Sequence, residues 1–392
     1  MAFVTEWFWF FLLLPLAALS GWVIGRRGGE RHSDTQVSRL STTYFRGLNY
    51  LLNEQPDKAI ELFLHIAELD KETFETQLAL GHLFRRRGEV DRAIRLHQGL
   101  AQRSDLSDQQ KVLALLALGE DYMKSGLLDR AEVVFTDLAR IDQRAPQALK
   151  HLIGIYEAER DWAKAIENAT RFEAATGEPM GRLIAQFECE LADRLRLAGD
   201  AAGARAAVAR AYAADSTSVR AGILEGRLEI DAGNDAAAIR AYERAARHDT
   251  DFLPEVLPAL LAAYERVGDA SGARKFLAEM SEHYRGIAPV LALTRLVEAQ
   301  DGVHAARGYL AQQLKDRPSV RGEAALIDLT LAENTELAAT LQDLRLITEQ
   351  LLVRNPSYRC NRCGFGARSH HWQCPSCKEW GTIKPLLNYA VV

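Results

Sequence analysis

Two patterns of apolar and polar positions divide the chain. From Trp7 to Ile24 there are 18 residues without a charge, interrupted only by Pro15, Ser20 and Gly21. A helix over them would reach about 27 Å, enough for one membrane crossing. Further on, the chain turns to amphipathic helical stretches punctuated by a recurring Gly-x-x-x-x-Ala. The pattern starts at Gly88, Gly126, Gly199, Gly233 and Gly268 and ends at Ala93, Ala131, Ala204, Ala238 and Ala273. Weaker copies run from Asn53 or Glu54 to Ala59, from Arg160 to Ala165 and from Asp301 to Ala306, so that the eight alanines follow one another at intervals of 33 to 39 residues. A period near 34 predicts a helix-turn-helix unit. The glycine closes helix A in a left-handed conformation, and the alanine early in helix B lets helix A pack closely. Phe84, Tyr122, Tyr156 and Tyr264, four residues before the turn position, are expected to fill the space between units. Gly81 and Gly119 supply the small residue where helices A and B cross.

Residues from about Ser41 to Val353 resemble tetratricopeptide repeats, in eight or nine units. A helical hairpin cannot bury its apolar face alone, so stacking is expected to give a right-handed superhelix whose A helices line a concave, protein-binding face. Units near Gly199 and Gly233 are alanine-rich and offer few large side chains for gripping a partner. In the carboxyl half, the repeats are candidates for mere spacers. The run Arg85, Arg86, Arg87 at a helix end reads as a solvated cationic terminus that complements the helix dipole. His65, His82, His97 and His151 share no spacing and read as surface or core histidines. Cys189, without a neighbouring cysteine, reads as a small apolar residue. No phosphate loop, His-Glu-x-x-His or Gly-x-Ser-x-Gly motif occurs, and nothing pairs an acid with a base, so the chain is not expected to be an enzyme.

Hydrophobic residues make up 48% of the chain, which excludes a disordered protein. With 48 Lys+Arg against 53 Asp+Glu, the net charge of -5 gives no whole-chain case for nucleic-acid binding. The charge is uneven, however: residues 354–392 hold six basic residues and one acid, Glu379. The same segment holds Cys360, Cys363, Cys374 and Cys377 as two Cys-x-x-Cys knuckles ten residues apart. Two such turns can aim four thiolates at one ion, completing a tetrahedral site at about 2.3 Å per bond. Gly364 permits the turn after the first pair, and Pro375 stiffens the second. In so short a segment, metal binding should provide most of the folding energy, on the order of 10 kcal/mol. The knuckles resemble those of rubredoxins, which carry iron, but their spacing is shorter and no flavin or haem motif accompanies them. Zinc is therefore preferred and iron is the alternative. Phe365, Trp372 and Trp380 are expected to pack around the site, although the tail's position directly after the last repeats and its apolar Trp372 and Trp380 also allow it to dock onto the array; His370 and His371 are expected to stay outside a shell that four cysteines complete.

Arg26, Arg27 and Arg31 follow the uncharged span, whereas the first six residues hold one acid and no base. The positive-inside rule places the short amino terminus outside and everything after Arg26 in the cytoplasm. Cleaved signal peptides carry their positive charge before the apolar run, and the bulky Gly21-Trp22-Val23 stretch offers no small-x-small cleavage site, so the span reads as a retained anchor. The expected division is an anchor over 1–25, a juxtamembrane linker over 26–40, repeats over 41–353 and a four-cysteine domain over 354–392. The fold class is all-α, a superhelical repeat array with a transmembrane helix before it and a rubredoxin-like domain after it. Taken in order, the Trp7 to Trp22 span with Gly25-Arg26-Arg27, the Leu51 to Ile60 first repeat and the Tyr358 to Phe365 tail resemble the lipopolysaccharide assembly protein B family. That resemblance implies an adaptor on the cytoplasmic face of a Gram-negative inner membrane, a single-pass protein with a periplasmic amino terminus. It further implies two partners, the membrane protease FtsH and the lipid A deacetylase LpxC, whose degradation the adaptor assists. It also implies metal ligands at Cys360, Cys363, Cys374 and Cys377. Other readings are a scaffold for lipopolysaccharide assembly or transport proteins and a rubredoxin-type electron-transfer component.

Overall fold

The computed structural model describes residues 74–140, 145–333 and 338–386, with Arg46, Asn49, Tyr50, Lys58, Ala59, Glu61 and Leu62 before them. The expected anchor, the linker, most of the first repeat and His65 lie outside the described residues. Among these residues, no helix is long and apolar enough to cross a membrane.

Between Phe74 and Arg354 the described α-helices form eight consecutive hairpins, with a 3-10 turn at Thr250–Phe252. They are α1 Phe74–Arg87, α2 Val90–Ala101, α3 Asp108–Ser125, α4 Leu128–Leu138, α5 Ala145–Glu159, α6 Trp162–Thr176, α7 Gly181–Leu197 and α8 Ala201–Ala214. There follow α9 Val219–Asp231, α10 Asp235–His248, α11 Leu253–Val267, α12 Ala270–His283, α13 Ala288–Asp301, α14 Val303–Asp316, α15 Val320–Glu333 and α16 Ala338–Arg354. Odd-numbered helices are the A helices. Three short strands, β1 Tyr358–Cys360, β2 Gly366–Ala367 and β3 Ile383–Pro385, close the chain as an antiparallel sheet in the order β2-β1-β3. The molecule is a tetratricopeptide-repeat array with a small carboxyl-terminal ribbon. It groups into two units, residues 1–151 and 152–392.

The repeat period works as the spacing predicts. Gly88, Gly126, Gly199, Gly233 and Gly268 all have φ between 75° and 88°, and Arg160 takes the same left-handed place at φ 57° without a glycine's freedom. The last copy is displaced by one residue, since Gly302 rather than Asp301 carries the positive φ. Alanines 59, 93, 131, 165, 204, 238, 273 and 306 are all at most 2% exposed, as expected of the contact point between helices A and B. Phe84, Tyr122, Tyr156 and Tyr264 are buried. A second device went unread in the sequence: sixteen residues after three of the A-helix glycines, a ring lies on the glycine. An added Cβ would come within 2.2 Å of His97 at Gly81, 2.6 Å of Phe135 at Gly119 and 2.4 Å of Tyr242 at Gly226.

In the first unit, Arg85 is not the solvated helix end that its run suggests. Its guanidinium reaches the α3 carboxylates Asp121 at 2.8 Å and Glu120 at 2.6 Å, and donates to Ala117 O at 2.9 Å. Asp121 is fully buried, and its other oxygen lies 2.5 Å from Nδ1 of the equally buried His97. The Nε2 of His97 sits 3.3 Å from the Leu78 carbonyl, which can only accept, so this ring is a partnered core residue. His82 is held down to about 4, first by burial and then by the Arg85 charge. In the second unit Cys189 is buried, and burial pushes its thiol up to about 12, as suits an inert core residue.

Candidate metal centre

The two knuckles fold by the same hydrogen bonds. Gly364 N donates to Cys360 O and Lys378 N to Cys374 O, at 3.0 and 2.9 Å, while Cys360 N and Cys374 N reach Phe365 O and Glu379 O. Each turn needs a left-handed residue at the same place. Gly364 provides it in the first knuckle at φ 78°, and Lys378 in the second at φ 62°. β1 carries Cys360 into the middle of the sheet, opposite the fully buried Ile383 of β3.

This geometry gathers all four sulfurs within 4.8 Å of one another. The Cys360–Cys377 and Cys363–Cys374 Sγ pairs are 3.7 Å apart. Four sulfurs at 2.3 Å from a common centre form a tetrahedron with edges of about 3.8 Å, so the spacing fits one ion. The Thr382 hydroxyl, 3.3 Å from Cys360 Sγ, and the backbone N–H groups of Cys363 and Arg362 hold that thiol down to about 6. The Phe365 N–H lowers Cys363. Burial and the neighbouring sulfurs push Cys377 up to about 12. The first knuckle is thus the better prepared to carry negative charge, and Cys377 would ionise only against a cation. His370 and His371 are not in the cluster.

The aromatic residues of the ribbon do not all surround the sulfurs. Phe365 and Tyr358 pack on the Cys360, Cys374 and Ile383 core. Trp372 and Trp380 instead face the repeats of the second unit, not the sulfurs around which they were expected to pack, and so make the docking that the tail's position allowed. Trp380 Nε1–H donates to Glu157 at 2.5 Å, and Gln373 Nε2 reaches the same oxygen at 2.6 Å. The Trp380 ring meets Trp162 and Phe187 edge-on, and Trp372 stacks on Phe252 at 5.2 Å. Between the two indoles lies the Arg220 guanidinium, 5.4 and 5.6 Å from their centres, held by Glu190 at 2.6 Å. Lys384 pairs with Asp249 at 2.6 Å over the Phe252 ring, Tyr358 donates to Glu255, and Arg321 donates to Ser357 at 2.8 Å. The ribbon is therefore docked along helices α5 to α15 by apolar stacking ringed with ion pairs. Two consequences for charge follow. Glu157 is pushed up from the usual carboxylate range, first by burial, and His370, packed among Phe252, Tyr358 and Trp372, is pushed down to about 4, again first by burial.

The ribbon, residues 358–385, matches a family model described as a rubredoxin metal binding domain of the LapB zinc-ribbon type, and residues 78–110 match the tetratricopeptide repeat model. Over its length the chain is 39% identical to the lipopolysaccharide assembly protein B of Escherichia coli strain K12, across 96% of this chain and 97% of that protein. The chain belongs to the lipopolysaccharide assembly protein B family. Its similarity to the Haemophilus influenzae protein of the same name is 34% identity over 96% of this chain and 98% of that one. In this family member, the ribbon can hold one metal ion in the four-sulfur cluster.

Proposed function

We propose that this chain is a membrane-tethered, non-enzymatic adaptor that limits lipopolysaccharide synthesis by presenting LpxC to FtsH. The carrying observation is the docked ribbon: Trp372 and Trp380 bind the repeats of the second unit rather than the metal site, so the metal cluster and those repeats are packed together. In this reading Cys360, Cys363, Cys374 and Cys377 hold a structural zinc ion, which stabilises the ribbon and with it the shape of the A-helix face. The uncharged Trp7 to Ile24 span is the inner-membrane anchor, with the arginines after it on the cytoplasmic side. A tethered array holding a substrate beside a membrane protease makes their encounter intramolecular, and no bond chemistry is required of the adaptor. The chain's membership of the family supports this role.

The test is the half-life of LpxC in cells that carry this chain as their sole family member, with immunoprecipitation of FtsH and LpxC from membranes. The account expects both proteins to be captured and LpxC to persist several-fold longer when residues 1–25 are deleted. Capture of lipopolysaccharide-assembly proteins with an unchanged LpxC half-life would favour the scaffold reading.

A further inference from the structure

The second knuckle is built on less favourable terms than the first. Glycine supplies the left-handed residue of the first loop at Gly364 without strain, whereas Lys378 takes φ 62° in the second with a side chain attached. The neck of the first loop, Arg359 opposite Gly366, lies in the β1–β2 ladder, and β1 is held on its other edge by β3. The neck of the second is Gln373 opposite Trp380, an isolated antiparallel bridge with no strand beside it. Its support comes from the array instead. Gln373 Nε2 donates one hydrogen to the carbonyl of the strained Lys378 at 3.1 Å and the other to Glu157 Oε1 at 2.6 Å. Trp380 Nε1 donates to that same oxygen at 2.5 Å. Both residues of the neck thus converge on one carboxylate oxygen of α5, and the loop that they close carries Cys374 and Cys377.

We propose that Glu157 is a positioning residue for the metal centre: through this one carboxylate the array gives the second knuckle the support that the sheet gives the first, so that metal affinity and ribbon docking are coupled. Glu157 is not one of the clustered ligands. It acts as an outer partner that orients ligands it does not itself replace, in the way that hydrogen-bonded groups behind a metal site commonly do. With Glu157 in place, the Gln373 amide is fixed on the Lys378 carbonyl and the separation of Cys374 and Cys377 is set before an ion arrives. Without it, the amide loses an acceptor, the neck loses its anchor and the loop loosens. The coupling is reciprocal, since whatever docking adds to the affinity for the ion, the ion adds to docking. Metal occupancy is thereby felt at α5, an element of the repeats, whichever partner the array serves.

The experiment is zinc competition between the full chain in detergent micelles and a chromophoric chelator, with helical content followed by circular dichroism. Glu157→Ala should raise the zinc Kd about 10–100-fold, the range for losing a partner that orients metal ligands, while a site with four sulfurs still fills to one ion per chain when zinc is in excess. Glu157→Gln keeps an acceptor at the same place and should stay within a few-fold of the parent. Gln373→Ala removes the link from the ribbon side and should weaken zinc as Glu157→Ala does, which keeps the test open if the α5 variant loses helicity. Arg321→Ala loosens the ribbon at Ser357, away from the second knuckle, and should leave the Kd within a few-fold. A parental Kd in both Glu157→Ala and Gln373→Ala would overturn the proposal. An equal rise in Glu157→Ala and Arg321→Ala would also overturn it, because docking as a whole, and not Glu157, would then hold the metal.

Discussion

Trp380→Ala probes the docking of the ribbon without touching a sulfur. The substitution removes the N–H that Glu157 accepts and the ring that lies against Trp162, Phe187 and Arg220. Truncating a fully buried Trp costs about 3–5 kcal/mol, and Trp380 is only partly buried, so about 3 kcal/mol is expected. Roughly half of this belongs to the hydrogen bond onto a carboxylate, leaving Glu157 with Gln373 as its remaining ribbon donor. A loss of 3 kcal/mol raises the undocked population by two orders of magnitude. Trypsin reads this population at Arg354, in the joint between α16 and the ribbon that Arg321 pins through Ser357, because the joint loosens when the ribbon lifts away and cleavage of a transiently open state tracks its equilibrium fraction. Cleavage at Arg354 should accelerate about a hundredfold in Trp380→Ala and about tenfold in Trp380→Phe, which keeps a ring but not the donor. Metal content should stay at one ion per chain in both. An unchanged cleavage rate would refute the docking energetics, and loss of metal would show that Trp380 serves the cluster instead.

Replacing Cys360 or Cys377 by Ser should remove most of the metal, measured by elemental analysis, while circular dichroism keeps the helical signal of the array; full metal retention would refute the four-sulfur site. Glu157→Gln keeps an acceptor for Trp380 and Gln373 without burying a charge, so it should hold the ribbon as well as the parent does, whereas Glu157→Ala should accelerate the same tryptic cleavage at least tenfold. His370 sits at about 4 in the folded chain against an ordinary 6.5, so the unfolded form binds more protons between those values. Its stabilising contribution, about 2 kcal/mol after allowing for partial exposure, is full above pH 6.5 and lost as pH falls through 4. Urea unfolding of the ribbon at pH 7.5 and pH 4.5 should show that loss, and His370→Phe should flatten it. Gly119→Ala would drive a Cβ into the buried Phe135 ring and should cost about 1–3 kcal/mol in thermal unfolding.

The repeat was legible because it rests on local rules. A left-handed backbone selects Gly88 or Gly126, and a helix crossing selects Ala93 or Ala131, so period and burial appear together in the string. Arg85 was misread for want of a longer view. Its acids Glu120 and Asp121 lie 35 and 36 residues on, one repeat period away, and Arg196 with Asp231 and Arg247 with Glu279 bridge neighbouring hairpins at similar separations. An Arg followed by an acid one period later is a signal that could have been sought. The sulfur cluster was legible from spacing alone, whereas for Trp372 and Trp380 docking on the array was only one possibility and the residues that receive them were not legible. Trp380 meets Glu157 across 223 residues, and no periodicity relates a ribbon to the face on which it folds. Composition assigned the tryptophans to the nearest small core, whereas that core is filled by Phe365, Tyr358 and Ile383.

The central claim is that the metal ribbon and the array act as one body in presenting a substrate to a membrane protease. The most direct test is the half-life of LpxC in cells expressing full-length Trp380→Ala at the parent's level, with its metal content verified. The account predicts that LpxC persists several-fold longer although anchor, metal and every sulfur are intact. An unchanged half-life, in a variant shown by trypsin to be undocked, would contradict it.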